Sequence, residues 1–153
     1  MRLIILFSFL SAVTLSACGS SSSSKTVSPG ATQDFGVPVA APSGAFKVSL
    51  AWSTDLASGT LANSAEVRFS DANDQALAAQ LEGFALFMPA MGHGTIKASE
   101  LRFTQDPKDL AHWSVSQIWF SMGGSANEWV VDVTASAQGQ SEKVRVPIPY
   151  EVQ

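Results

Sequence analysis

The chain has 153 residues, a formal net charge of −4 at neutral pH and a single cysteine. This acidic balance argues against a nucleic-acid partner and against a basic membrane-binding patch, since both need clustered lysine and arginine. One cysteine also excludes an intramolecular disulfide.

Residues 1–17 have the organisation of a secretory signal peptide. Met1 and Arg2 provide a positively charged start, and the stretch from Leu3 to Leu15 is apolar except for three hydroxyl residues. A membrane-spanning helix needs about 20 apolar residues, so this run is too short to span. We expect residues 1–17 to be removed during export.

The end of this segment, Leu15-Ser16-Ala17-Cys18, resembles the lipobox of bacterial lipoproteins. In that family the cysteine is thioether-linked to diacylglycerol and the chain is cut just before it. The resemblance implies a lipid anchor on Cys18, which attaches the protein to a cell-envelope membrane facing the periplasm. Gly19 stands where an aspartate retains such proteins at the inner membrane in some bacteria, which favours the outer membrane. With Cys18 lipidated, no thiol remains for catalysis or metal binding.

A tether follows over residues 18–44. It contains five consecutive serines, Ser20 to Ser24, together with several prolines and glycines, and few large apolar side chains. Such a composition is typical of a flexible linker. The remaining residues, 45–153, fit one domain with a modest core.

This domain reads as a series of short strands without a helix. Residues 46–52 and 65–70 alternate apolar and small or polar side chains, the pattern of a strand with one buried face. The glycine-rich residues 123–127 predict a β-hairpin between two of the strands, 113–122 and 128–135. Residues 105–109 are expected to be a loop because of their proline and aspartates. The sequence predicts an all-β, immunoglobulin-like antiparallel β-sandwich of about seven strands, over residues 46–52, 65–70, 81–88, 95–103, 113–122, 128–135 and 143–150.

The stretch Phe87–Gly94 gathers two thioethers and an imidazole, from Met88, Met91 and His93, between a proline and two glycines. If successive strands run antiparallel, the third predicted strand and the fifth end on the same side of the sandwich. This places Met122 beside the loop, with Thr95 and Asn127 expected nearby. All the methionines except Met1 would then lie at one end of the domain.

Thioether sulfur is a soft, neutral ligand that suits Cu(I). Zinc usually takes thiolates, carboxylates or more histidines, and calcium or magnesium needs converging oxygens. A blue-copper centre needs a cysteine thiolate, and Cys18 is assigned elsewhere. The sequence therefore predicts a Cu(I) site formed by Met88, Met91, His93 and Met122. The alternative is that the methionines fill the core and the glycines and proline only make a turn.

A family resemblance bears on this choice. The stretch Phe87–Gly94, followed by Trp113-Ser114-Val115 and by Phe120 to Val131, resembles the YtkA-like domain that is also found in FixH proteins. Membership implies an immunoglobulin-like sandwich and a role in copper handling or cytochrome oxidase assembly in the envelope. By position it points to the same three loop residues, with Met122 as a further ligand. Thr95 departs from the family, where a methionine often stands.

Two functional expectations remain open. The first is a non-enzymatic lipoprotein that stores Cu(I) or transfers it to an envelope partner. The second is a metal-free, immunoglobulin-like interaction module that docks an envelope protein. No arrangement of nucleophile and base is visible, so we expect no enzymatic activity. The second histidine, His112, is expected at the opposite end of the sandwich, as a solvated strand terminus.

Overall fold

A computed structural model of the protein describes residues 32–94 and 97–153. The predicted signal peptide, Cys18 and the first part of the predicted tether lie outside these residues, as do Thr95 and Ile96. In the described ranges no helix is long and apolar enough to cross a membrane. The strands are β1 (Val39–Ala40), β2 (Lys47–Trp52), β3 (Asn63–Ser70), β4 (Gln80–Met88), β5 (His93–Gly94), β6 (Arg102–Asp106), β7 (Asp109–Ile118), β8 (Val130–Ala137) and β9 (Gln140–Pro147).

The strands form two antiparallel sheets. One has the order β1-β2-β3-β7-β6 and the other has the order β5-β4-β8-β9. Without the two-residue strands β1 and β5, these are the A-B-E-D and C-F-G sheets of an immunoglobulin constant-type domain. The prediction of an all-β, immunoglobulin-like sandwich is therefore confirmed.

The core lies between the two sheets and follows from the period-two patterns. Along β3, Ala65, Val67 and Phe69 are fully buried, while the residues between them are more exposed. Aromatic side chains fill the middle, with the Trp52 and Phe84 ring centroids 5.8 Å apart. Burial also alternates along β8, and β2 is buried over five consecutive residues. The apolar faces of the strands thus point inward, and their burial is the main source of stability in a sandwich.

The outer faces carry polar pairs. On β8 and β9, the Arg145 guanidinium donates hydrogen bonds to both carboxylate oxygens of Asp132, at 2.7 and 2.9 Å. These hydrogen bonds lower the pKa of the Asp132 carboxyl below 3.8 and outweigh its partial burial. The β8–β9 turn has Gln138 and Gly139 at φ of 53° and 80°, the left-handed conformation of a two-residue hairpin turn.

The predicted hairpin between residues 113–122 and 128–135 is wrong. Strand β7 pairs with β3 and β6, whereas β8 belongs to the other sheet and pairs with β4 and β9. The glycine-rich connection therefore crosses from one sheet to the other. Composition alone suggested a turn, but eleven residues separate the two strands, and a tight hairpin needs only two to five.

Two other local predictions need correction. Residues 105–109 are not a loop, because β6 continues to Asp106, β7 begins at Asp109, and only Pro107 and Lys108 form the turn. Residues 95–103 are not one strand either. A short 3-10 helix covers Ala98–Glu100, and the strand starts only at Arg102.

The folded region begins before Ala45. Thr32 forms a bridge with Ser53, and the Gln33 amide donates to the Trp52 carbonyl at 2.7 Å. Residues 39–40 form β1 and pair with β2, and Ala41 is 3% exposed. The second part of the predicted tether is thus packed on the edge of the first sheet.

Candidate functional site

The end of the sandwich that carries Met88 is built from three connections. The β2–β3, β4–β5 and β7–β8 segments all lie at this end, because antiparallel pairing brings alternate strand ends together. Gly59 donates its amide to the Phe120 carbonyl at 3.0 Å, which joins the first connection to the third. The Met88 loop therefore lies at the same end of the sandwich as residues 119–129, the segment that carries Met122.

The β4–β5 connection is a short hairpin, Pro89 to Gly92. The Met91 amide donates to the Met88 carbonyl at 3.2 Å, which closes a turn that starts at Pro89. Gly92 has φ of +66°, a left-handed conformation that side-chain-bearing residues adopt only with strain. The proline and this glycine therefore shape the loop.

Met88 and His93 are direct cross-strand partners at the base of this hairpin. Directly opposed residues of an antiparallel pair have their side chains on the same face, with Cβ atoms about 4.5–5.5 Å apart. Two of the four predicted ligands are therefore neighbours by backbone register alone. Met91 lies between them in the loop.

The four residues differ strongly in exposure. Met88 is 3% exposed, whereas Met91 is 55% and Met122 is 37% exposed. His93 is also exposed, because β5 is the outermost strand of its sheet. The arrangement has one thioether within the core and two thioethers and an imidazole in contact with solvent.

The segment carrying Met122 packs against Met88. A Cβ atom on Gly124 would lie only 2.9 Å from the Met88 methyl group and 3.0 Å from the Trp129 ring. A side chain at this position would require the Met88 methyl group or the Trp129 ring to shift, so the backbone of Gly124 lies close to the Met88 side chain. Met122 is two residues away from this contact.

Tryptophans frame the segment, and sequence reasoning did not include them in the site. The indole Nε1 atoms of Trp119 and Trp129 are buried without a hydrogen-bond partner. The Lys97 ammonium lies 3.8 Å from the centroid of the Trp119 ring, a cation–π contact. The signal available in the sequence was the Gly123-Gly124 pair, which indicates close backbone approach, between two tryptophans.

The loops at this end carry no formal charge over long stretches. The sequence has no Asp, Glu, Lys or Arg from Gly83 to Gly94 or from Leu110 to Asn127. Among the described residues no group of three or more His, Cys, Asp and Glu side chains is arranged to hold a metal ion. The donors at this end are thioethers and one imidazole, which are neutral ligands.

The sequence predicted that His112 lies at a solvated strand terminus, and this prediction is wrong. His112 occupies the fourth position of β7, opposite Arg68 on β3, with a quarter of its side chain exposed. Its Nε2 atom lies 3.1 Å from Glu66 Oε2 but does not meet the geometry of a hydrogen bond. The same carboxylate oxygen accepts a hydrogen bond of 2.8 Å from Ser114. The side chain therefore belongs to the outer face of the five-stranded sheet.

A concave feature lies away from the Met88 loop, between the β1–β2 edge of one sheet and β9 of the other. It is an apolar groove of about 360 Å³. Val37, on its rim, is 86% exposed. Two of the lining residues, Pro147 and Pro149, have no backbone N–H to offer a pairing strand. The groove is lined by Gly36, Val37, Val39, Leu50, Trp52, Val146, Pro147 and Pro149.

The fold thus defines a two-sheet antiparallel sandwich of the immunoglobulin type. In comparisons with known proteins, no family model matches the chain, and no curated protein or solved structure is detectably similar to it. The resemblance to the YtkA-like family therefore rests on the motif residues alone and stays a prediction.

Proposed function

We propose that the protein binds Cu(I) at the Met88 end of the sandwich, without enzymatic activity, and stores the ion or passes it to a partner in the cell envelope. The observation that supports this best is the cross-strand pairing of Met88 with His93, beside a turn that presents Met91. The packing of Gly124 on Met88 adds the segment of Met122.

The chemistry of the donors favours a soft monovalent ion. Thioether sulfur binds Cu(I) in preference to hard cations, and imidazole accepts copper as well. Three thioethers and one imidazole add no formal negative charge to the ion. A buried thioether beneath three exposed donors would hold the ion at the surface of the domain, where a partner can reach it.

The proposal includes a membrane attachment. A lipid on Cys18 would anchor the protein to the envelope, facing the periplasm, with the outer membrane favoured by Gly19. The partner for transfer is then another envelope protein with soft ligands of its own. Mass spectrometry of the protein from its native host tests this part, because an unmodified Cys18 would exclude the anchor.

Titration with Cu(I) against a competing chelator tests the metal site. We expect one ion per chain, and a loss of at least about tenfold in affinity for the Met91→Leu and His93→Ala variants, which is the smallest effect typical of altered metal surroundings. Met91 is exposed, so its replacement by leucine leaves the core unchanged and the loss of affinity would report on the ligand.

The matched control is His112→Ala, which removes the other histidine from the outer face of the opposite sheet. This variant should bind Cu(I) as tightly as the unmodified protein. Absence of Cu(I) binding, or equal affinity for all of these variants, would refute the proposal.

A second candidate function is a metal-free interaction module that docks an envelope protein. The burial of Met88 fits this candidate, since a core methionine needs no metal to explain it. The apolar groove supports it as well, because its prolines disfavour strand addition and leave room for an apolar side chain of a partner. A photo-cross-linker at Val37 should then capture an envelope protein, and one at Leu110, which is 52% exposed outside the groove, should not.

A further inference from the structure

The segment 148–153 runs beside the connection that carries Met122. The Asn127 amide donates to the Ile148 carbonyl at 2.8 Å. Further along, Gly124 and Val152 exchange both of their backbone hydrogen bonds, at 2.9 and 2.8 Å. The connection is therefore held along its length by backbone pairing.

Val152 packs against the glycine pair, Gly123-Gly124. A Cβ atom on Gly123 would lie 2.9 Å from the Val152 carbonyl oxygen, so the two backbones are in direct contact. Val152 is itself only 2% exposed. The next residue, Gln153, donates its amide to the Leu56 carbonyl at 2.9 Å and accepts a bond from the Ser58 amide at 2.6 Å. These bonds connect Gln153, the residue after Val152, to the β2–β3 connection.

The opposite side of the glycine pair meets Met88. Gly124 is within close contact of the Met88 methyl group and the Trp129 ring, while Gly123 touches Val152. The glycine pair is thus a single backbone layer between Val152 and Met88. Met122 is the residue before this pair, so the pairing with Val152 holds the backbone from which the Met122 side chain extends.

We propose that docking of Val152 on Gly123-Gly124 regulates the Cu(I) affinity of the site by positioning Met122 against Met88. The proposal rests on the proposed Cu(I) function. When Cu(I) binding and Val152 docking both depend on the position of Met122, each strengthens the other by the same factor, typically about 5- to 150-fold. Bound Cu(I) should therefore stabilise the docked position of residues 148–153, and undocking of this segment should lower the affinity for Cu(I).

The test compares Val152→Pro with Val152→Ala in the purified protein. Proline removes the N–H that donates to Gly124, whereas alanine keeps this hydrogen bond. Both substitutions are made with Met122 present and with Met122→Leu, and Cu(I) affinity is measured by chelator competition. We expect Val152→Pro to weaken binding at least about fivefold when Met122 is present. It should have no further effect in the Met122→Leu protein, and Val152→Ala should cause the smaller loss.

An equal loss with and without Met122 would overturn the inference, because the effect would then be general destabilisation. If Val152→Pro fails to fold, Gly123→Ala replaces it, since its Cβ pushes against the Val152 carbonyl. Hydrogen exchange supplies an independent readout: Cu(I) should slow exchange of the Gly124 and Val152 amides, and unchanged exchange would refute the coupling. If the unmodified protein binds no Cu(I), the proposed function fails and the inference falls with it.

Discussion

Replacement of Met88 separates a packing role from a ligand role. The side chain is 3% exposed and its methyl group packs against Gly124, so Met88→Ala leaves a cavity in the core. Such truncations lower the free energy of unfolding by about 2–5 kcal/mol. Met88→Leu conserves volume and costs less than about 1.5 kcal/mol, but it removes the sulfur. If Met88 is a ligand, the leucine variant keeps most of the stability and loses metal affinity, by at least about tenfold.

Urea denaturation gives the free energy of unfolding of each variant, and chelator competition gives the Cu(I) affinity of the folded protein. Leu86 is the matched control, because it lies on the same face of β4, two residues before Met88, and is 2% exposed. Leu86→Ala should lower the free energy of unfolding by about 2–5 kcal/mol and leave Cu(I) affinity unchanged. Native-like Cu(I) affinity in Met88→Leu would refute Met88 as a ligand and reduce its role to packing.

Three further predictions concern the loop, the outer face and the core. Gly92→Ala should lower the free energy of unfolding by about 1–2 kcal/mol, because Gly92 has φ of +66°, and it should also weaken Cu(I) binding. The control is Gly44→Ala, at φ of +78°, which should lower stability as much without changing Cu(I) affinity. Asp132→Asn should lower the unfolding free energy by about 0.2–1 kcal/mol at neutral pH. The pKa of the Asp132 carboxyl in the folded protein is lowered below 3.8, so the difference in stability between the variant and the unmodified protein should shrink as the pH falls through that lowered pKa. A series of denaturation curves at decreasing pH measures this difference. Asn63→Ala should lower the free energy of unfolding, measured by urea denaturation, by about 1–3 kcal/mol. Asn63 is 3% exposed, and its side chain accepts a hydrogen bond from the Ala57 amide and donates one to the Ile118 carbonyl. An unchanged free energy of unfolding would show that water replaces these bonds.

The fold class was accessible from the sequence because it depends on local patterns. Alternation over residues 65–70 predicts one buried face, and the structure buries Ala65, Val67 and Phe69 on it. Strand pairing was less accessible, since it depends on contacts far apart in the chain. The glycine-rich residues 123–127 look like a hairpin turn, yet the strands on either side belong to different sheets. Likewise, proline at position 107 suggested a loop, but the pairing of Asp106 with Asp109 leaves only a two-residue turn.

By itself the sequence determined the donor types of the candidate site and the shape of its loop. Thioethers at Met88 and Met91, an imidazole at His93 and the turn residues between them are adjacent in the chain, so local chemistry is enough to propose a soft metal. The burial of Met88 and the packing of Gly124 against it depend instead on tertiary contacts. Met88 points into the core because β4 places it on the inner face, and the backbone of Gly124 lies close to its methyl group because glycine has no side chain. The contacts of Gly124 with Met88 and with Val152 join residues that are far apart in the chain, and no local pattern encodes them.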